Sequence, residues 1–202
     1  MSDMIWASVD PSKRCTGFAI WGDSRLLRWG TITPANKTQQ KNFAKARQLL
    51  RVTHVIDSVE YYGVTEHGTT VETVAPEPAC GLREAFNKAF VDSLHGKNLT
   101  LIMENPMGAM PRSVAEIAWY RGYITSLVDE RLGTVIDVNT SEWRRVAAEA
   151  WGVSWPRQTD LIKELAIKLV KENYGLQQHD IGPDEAEAIL IGHWGLRTRT
   201  VP

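Results

Sequence analysis

The sequence predicts a mixed α/β domain on a five-stranded sheet, three antiparallel strands followed by two that alternate with helices, with helices flanking the sheet. Three observations lead there. Ile5 to Trp21 reads as two buried strands either side of a short polar turn. Leu99 to Met103 and Thr134 to Val138 are short apolar runs of the kind that form central strands. Four stretches of helical character, from Ser113 to the C-terminal region, alternate with or follow those runs.

In the first strand Ile5, Ala7 and Val9 alternate with Trp6 and Ser8, and Asp10 closes it just before Pro11. Pro11 and Ser12-Lys13-Arg14 break the run, and Thr16-Gly17 restarts it as Phe18-Ala19-Ile20-Trp21. Gly22-Asp23-Ser24 signals a turn into a third strand, Arg25 to Thr33, and such short connections favour an antiparallel meander. Thr38 to about Leu50 looks helical and carries Lys41, Lys45 and Arg47, either a solvated face or one that meets phosphate. From Val52 to Tyr62 helix and strand fit equally, and Gly63 to Pro78 reads as a loop or hairpin. Leu82, Phe86, Ala89 and Phe90 mark another helix, ended by Gly96.

The fourth strand ends at Glu104-Asn105-Pro106, a second carboxylate placed where a buried strand stops. Ser113 can cap a helix to about Leu132, with Val114, Ile117, Ile124 and Val128 on one face. Gly122 within it costs about 1 kcal/mol against Ala, which points to close packing there. After the fifth strand, Thr140 or Ser141 caps a helix through Trp151. The next helix runs from Arg157 to Tyr174 and stops at Gly175, with Leu161, Leu165 and Leu169 inward and Lys163, Lys168 and Lys171 outward. Gly182-Pro183 opens a last helix from Asp184 to Trp194. With no repeat, low-complexity stretch or linker, one domain over residues 1–202 is expected, with an insertion around 52–80.

Composition narrows the function classes. Of 202 residues 43% are apolar and 23% charged, and the net charge of −1 means that any polyanion-binding surface must come from local segregation of charge. Only Cys15 and Cys80 occur, without a CxxC pair, which argues against a zinc or disulfide framework and for a reducing compartment. No basic segment followed by an apolar run opens the sequence, and no stretch has the length of a membrane span, so a cytoplasmic protein without a membrane partner is expected. Most of the eight tryptophans are expected to fill core positions.

Asp10, Glu104, Asp184 and Glu187 stand out together. Taken alone, Asp10 could simply accept backbone N–H bonds in its own turn, and Asp184 could serve the positive end of its helix. Yet a strand-end carboxylate is costly to bury without a cation. Asp184 and Glu187 are three apart and share one helix face, whereas Glu185 lies off it. Gathered carboxylates suit Mg²⁺, a hard cation that takes oxygen ligands, and two such ions serve phosphodiester cleavage.

At these residues the sequence resembles the RuvC-type Holliday junction resolvases of the ribonuclease H-like superfamily. The matching segments are Ser-Val-Asp10-Pro-Ser followed by Thr16-Gly17, Leu-Ile-Met-Glu104, Tyr-Arg121-Gly122 and Asp184-Glu-Ala-Glu187-Ala. They occur in the family's order and cover most of the chain except about residues 40 to 97. The resemblance implies a ribonuclease H-like fold and a structure-selective DNA endonuclease whose products carry 5′-phosphate. It makes Asp10, Glu104, Asp184 and Glu187 the catalytic residues, ligands for two Mg²⁺ ions that Mn²⁺ could replace. Where the family commonly has Asp, this sequence has Glu187, which keeps the charge and adds a methylene. A homodimer acting on a four-way junction is implied as well.

Basic residues near the matching segments are candidate DNA contacts: Lys13 and Arg14 in the first turn, Arg121, then Arg144 and Arg145, Arg157 and Lys163. Surface solvation is the alternative for each. Three rival readings stay in view: a ribonuclease H-like nuclease acting on an RNA–DNA hybrid or flap, a non-catalytic junction-binding protein, and an actin-like phosphate-binding fold. The last needs further Gly-rich phosphate turns, which the sequence lacks. A DnaQ-like exonuclease would carry Asp-x-Glu on the first strand, and Ser12 stands at the third position.

Overall fold

The hairpin that begins at Ile5 is the middle of a six-stranded sheet. The computed structural model describes residues 5–12, 15–22, 24–34, 62–68, 100–105, 117–118, 121–126, 128 and 133–198. Its strands are β1 (Ile5–Asp10), β2 (Thr16–Gly22), β3 (Arg25–Pro34), β4 (Tyr62–Gly68), β5 (Thr100–Asn105) and β6 (Thr134–Asn139). Three helices follow: α1 (Thr140–Trp151), α2 (Thr159–Tyr174) and α3 (Pro183–Thr198). The strand order is β4-β3-β2-β1-β5-β6. β1 to β4 pair antiparallel in succession, and β5 and β6 lie parallel to β1.

The five expected strands are all present in the expected directions, and β4 adds a sixth. It falls where Gly63 to Pro78 reads as a loop or hairpin, and it pairs with β3 from Pro34↔Tyr62 to Arg28↔Gly68. Its sequence, YGVTEHG, lacks an apolar alternation. The strand is recruited by the backbone groups along the ten residues of β3 rather than by its own pattern. Within the 52–80 segment expected as an insertion, this strand is the described part. The helices expected over Thr38–Leu50 and Leu82–Gly96, and the Ser113 cap, lie outside the described residues.

Strand periodicity divides the core in two. Ala7, Val9, Phe18, Ile20, Leu101 and Met103 point to one face and pack with Ile124 and Val128, which lie in helical residues 121–126 and 128. Trp6, Ala19, Trp21, Ile102 and Val138 point to the other, where α3 lies across β1 and β2 with α1 and α2 beside it. The helix can come so close because small residues line it. A Cβ on Gly192 would stand 2.2 Å from the Trp21 indole nitrogen. Trp6 and Trp21 stack at 5.3 Å, the Trp21 indole donates to Ser8 Oγ at 2.9 Å, and Ser8 donates to the Ala188 carbonyl at 2.7 Å. These contacts lock α3 onto β1 two residues short of Asp10.

Several local expectations change. Leu161 is 43% exposed instead of facing inward: it lies in the first turn of α2, whose buried residues, Ala166, Leu169 and Val170, come later in the helix. Gly122 is exposed, and among the described residues nothing lies within 4 Å of a Cβ placed on it, so the expected close packing is not seen there. Asn139, not Thr140 or Ser141, is the N-cap of α1, and Glu142 accepts its backbone N–H at 3.0 Å. Among the described residues no helix is long and apolar enough to cross a membrane.

Candidate metal centre

Strand parity puts the acidic residues on the α3 side of the sheet. Trp6, Ser8 and Asp10 share that face of β1, and Ile102 and Glu104 share it on β5. The parallel register sets Val9 opposite Met103, so Asp10 and Glu104 end adjacent strands side by side. Above them α3 begins. Gly17, on β2, lies so close that a Cβ there would be 1.9 Å from the Asp184 carbonyl oxygen, so only glycine fits. The turn between β1 and β2 is closed by Thr16, whose hydroxyl donates to the Ser12 carbonyl at 2.7 Å.

One carboxylate oxygen from each of Asp10, Asp184 and Glu187 lies within 4.8 Å of the others. Asp10 is 8% exposed. Its carboxyl is held well above the usual range, chiefly by burial and then by the charges of Glu104, Glu187 and Asp184, and it hydrogen-bonds Glu104. Burial also pushes Glu187 up to about 7; Glu104 and Asp184 add to the rise, while Arg144 and Lys163 oppose it. Three carboxylates gathered in this way, with Glu104 outside the group but hydrogen-bonded to Asp10, repel one another unless a cation joins them. The donor set fits a hard divalent cation of the Mg²⁺ or Mn²⁺ type.

Glu185, two residues before Glu187, is buried for a different reason. It accepts the Gly182 backbone N–H at 2.7 Å and closes the start of its own helix.

The basic candidates separate. Arg144 places a guanidinium nitrogen 3.5 Å from Glu187 Oε1 and sits 4.9 Å from the Trp143 ring and 5.7 Å from that of Trp155. Lys163 is near enough to act on Glu187. Arg121 instead donates to the Glu104 carbonyl and pairs with Asp137 at 2.5 Å, joining its helical segment to β5 and β6. Arg145 pairs with Glu149 at 2.8 Å on the exposed side of α1, and Arg157 is exposed ahead of α2. Lys13 and Arg14 lie outside the described residues.

Three contributors have no counterpart among the predicted site residues. Thr140 Oγ1 donates to Glu104 Oε1 at 2.5 Å, and Trp143 Nε1 donates to the same oxygen at 3.0 Å. The Cys15 thiol hydrogen-bonds Asp184; burial and the surrounding carboxylates keep it protonated far above the ordinary thiol range, so it acts as a neutral donor. The parallel pairing of Asn105 with Asn139 is the signal for Thr140, since the next residue must lie beside the end of β5.

No protein-family model and no curated protein matches the sequence. Among solved structures the chain is similar to T. thermophilus RuvC in complex with a Holliday junction substrate, with a TM-score of 0.52 and 12% identity over 98% of this chain and 97% of that one. A second structure of Thermus thermophilus RuvC gives a TM-score of 0.47 and 14% identity, over 98% of each chain. MreB5 of Spiroplasma citri bound to ADP gives 0.34 and 13%, over 92% of this chain and 61% of that one. The chain shares the fold of the first of these, the T. thermophilus RuvC structure with its Holliday junction substrate.

Proposed function

We propose that this chain is a divalent-metal-dependent endonuclease that cuts branched DNA, with a four-way junction as its substrate. The observation that carries the reading is the convergence of Asp10, Asp184 and Glu187 within 4.8 Å, beside Glu104, on a fold like that of T. thermophilus RuvC. That protein's structure holds a Holliday junction substrate, which supports the choice of DNA.

Asp10, Glu104, Asp184 and Glu187 would hold two Mg²⁺ ions. When bound, such ions activate an attacking water and stabilise the leaving oxygen of a phosphodiester. The chain's own residues supply the rest. The four carboxylates fix the place where a phosphate must sit, and α3 directs its positive end toward that place. Arg144 and Lys163 lie on the Glu187 side and offset the charge that develops on the phosphate. Lys13, Arg14, Arg121, Arg145 and Arg157 stand as further candidates for contacts to the DNA backbone, which would set affinity and salt dependence. Because a four-way junction offers two equivalent strands, the reading takes a homodimer as the active form, with residues 1–202 as one nuclease domain.

A labelled four-way junction, a flap, a duplex and an RNA–DNA hybrid, each incubated with wild type and Asp10→Asn in Mg²⁺, test the reading. Paired nicks in the junction, lost in the variant, are expected. Cleavage chiefly of the hybrid would move the activity to ribonuclease H chemistry. Junction binding without cleavage in Mg²⁺ and in Mn²⁺ would leave a binding protein.

A further inference from the structure

Glu104 differs from the other three carboxylates in how it is held. Its Oε1 takes two hydrogen bonds, from the Thr140 hydroxyl at 2.5 Å and the Trp143 indole at 3.0 Å. Both donors come from the first turn of α1, and both are neutral. They orient the carboxylate without cancelling its charge, so its attraction for a cation is kept. An arginine in the same place would compete with the cation instead.

The donors are themselves fixed. Trp143 is fully buried, and its ring meets Trp155 edge-on at 5.7 Å. Trp155 in turn donates to the Arg144 carbonyl at 2.7 Å, tying the segment after α1 back to the helix. The Thr140 hydroxyl is not used as a helix cap, because Asn139 is the N-cap of α1. A tryptophan needed for packing alone could point its N–H anywhere that offered an acceptor. Here it points at a carboxylate 39 positions away in sequence.

We propose that Thr140 and Trp143 are positioning residues for Glu104: they set the plane of its carboxylate so that the site is shaped for a divalent cation before one arrives. This rests on the reading of the four carboxylates as cation ligands. Preorganised outer partners of this kind are worth about 10–100-fold in metal affinity or activity.

The test is Mn²⁺ binding to the whole chain without DNA, followed by the loss of the free-ion electron paramagnetic resonance signal, with a thermal melt of each variant alongside. Thr140→Val and Trp143→Phe are expected to weaken binding about 10–100-fold while keeping a cooperative melt. Thr140→Ser is expected to bind as wild type does. In single-turnover cleavage the rate at saturating junction should fall in Thr140→Val while junction affinity holds. Thr140→Val and Trp143→Phe binding as tightly as wild type would overturn this inference alone, and so would Thr140→Ser being as weak as Thr140→Val. If wild type itself binds no Mn²⁺, the inference falls together with the reading on which it rests.

Discussion

The two ends of α3 meet the same sheet on opposite terms. At its start Asp184 and Glu187 approach Asp10, and burial and mutual repulsion drive both Asp10 and Glu187 toward the protonated form. Farther along, Gly192 and Gly195 press against Trp21 and Ile102, and His193 bonds the Tyr174 hydroxyl at 2.8 Å beneath the Trp151 ring. The first end is held in a conformation that its own charges oppose, whereas the second is held by shape. A helix anchored so firmly at one end can carry charges at the other that would not gather unaided. Stability and the candidate chemistry are thus separable along one helix, and substitutions can separate them.

The largest effect is expected from Asp10→Asn. Cleavage should drop by at least about 10⁴-fold in single-turnover assays. The melting temperature in chelator should rise, because a buried charge and its repulsion are removed. Gly192→Ala should do the reverse. Its new methyl must displace the Trp21 ring, an overpacking cost of about 1–3 kcal/mol against about 1 kcal/mol gained in helix propensity. Denaturant titration should show a net loss of stability, with Mn²⁺ affinity kept by the folded protein.

Acid titration reads the two ends with opposite signs. Glu187 is raised from 4.5 to about 7, so the metal-free fold holds its proton more tightly than the unfolded chain does. That contribution is full below pH 4.5 and is lost as pH rises through about 7. His193 is lowered from 6.5 to about 4, by burial and then by Arg197. Its contribution is present above pH 6.5 and is lost as pH falls through about 4. Glu185 is raised to about 7 by burial and Asp10 is raised as well, so melts in chelator from pH 4 to 8 should show a shallower first slope in Glu187→Gln and lose the second in His193→Phe. The smallest effect on stability is expected from Arg145→Ala, which breaks an exposed pair with Glu149; the melt should move by no more than about 0.5 kcal/mol, and any loss of cleavage should lie in junction affinity alone.

Legibility follows the range of the interaction. Asp10 and Glu104 could be read because each stands at the end of an apolar run, where a charge needs a reason to be. Asp184 and Glu187 could be read because three residues is one helical step. Thr140 and Trp143 could not, since their partner Glu104 is 36 and 39 positions away and reaches them only through the parallel pairing of β5 with β6. The strand β4 was hidden too, because its pairing with β3 is made by backbone and its side chains carry no alternation. Two glycines show the same divide. Gly17 proved to be a point of close approach because α3 arrives from far along the chain, while Gly122, exposed on its helix, shows no close approach among the described residues.

The central claim is that the crowded carboxylates exist to share divalent cations. Anomalous scattering from a crystal soaked in Mn²⁺ tests it most directly. The account predicts anomalous peaks among Asp10, Glu104, Asp184 and Glu187, absent from crystals of Asp10→Asn. Mn²⁺ bound only elsewhere on the surface, with the four carboxylates left to share protons, would contradict it.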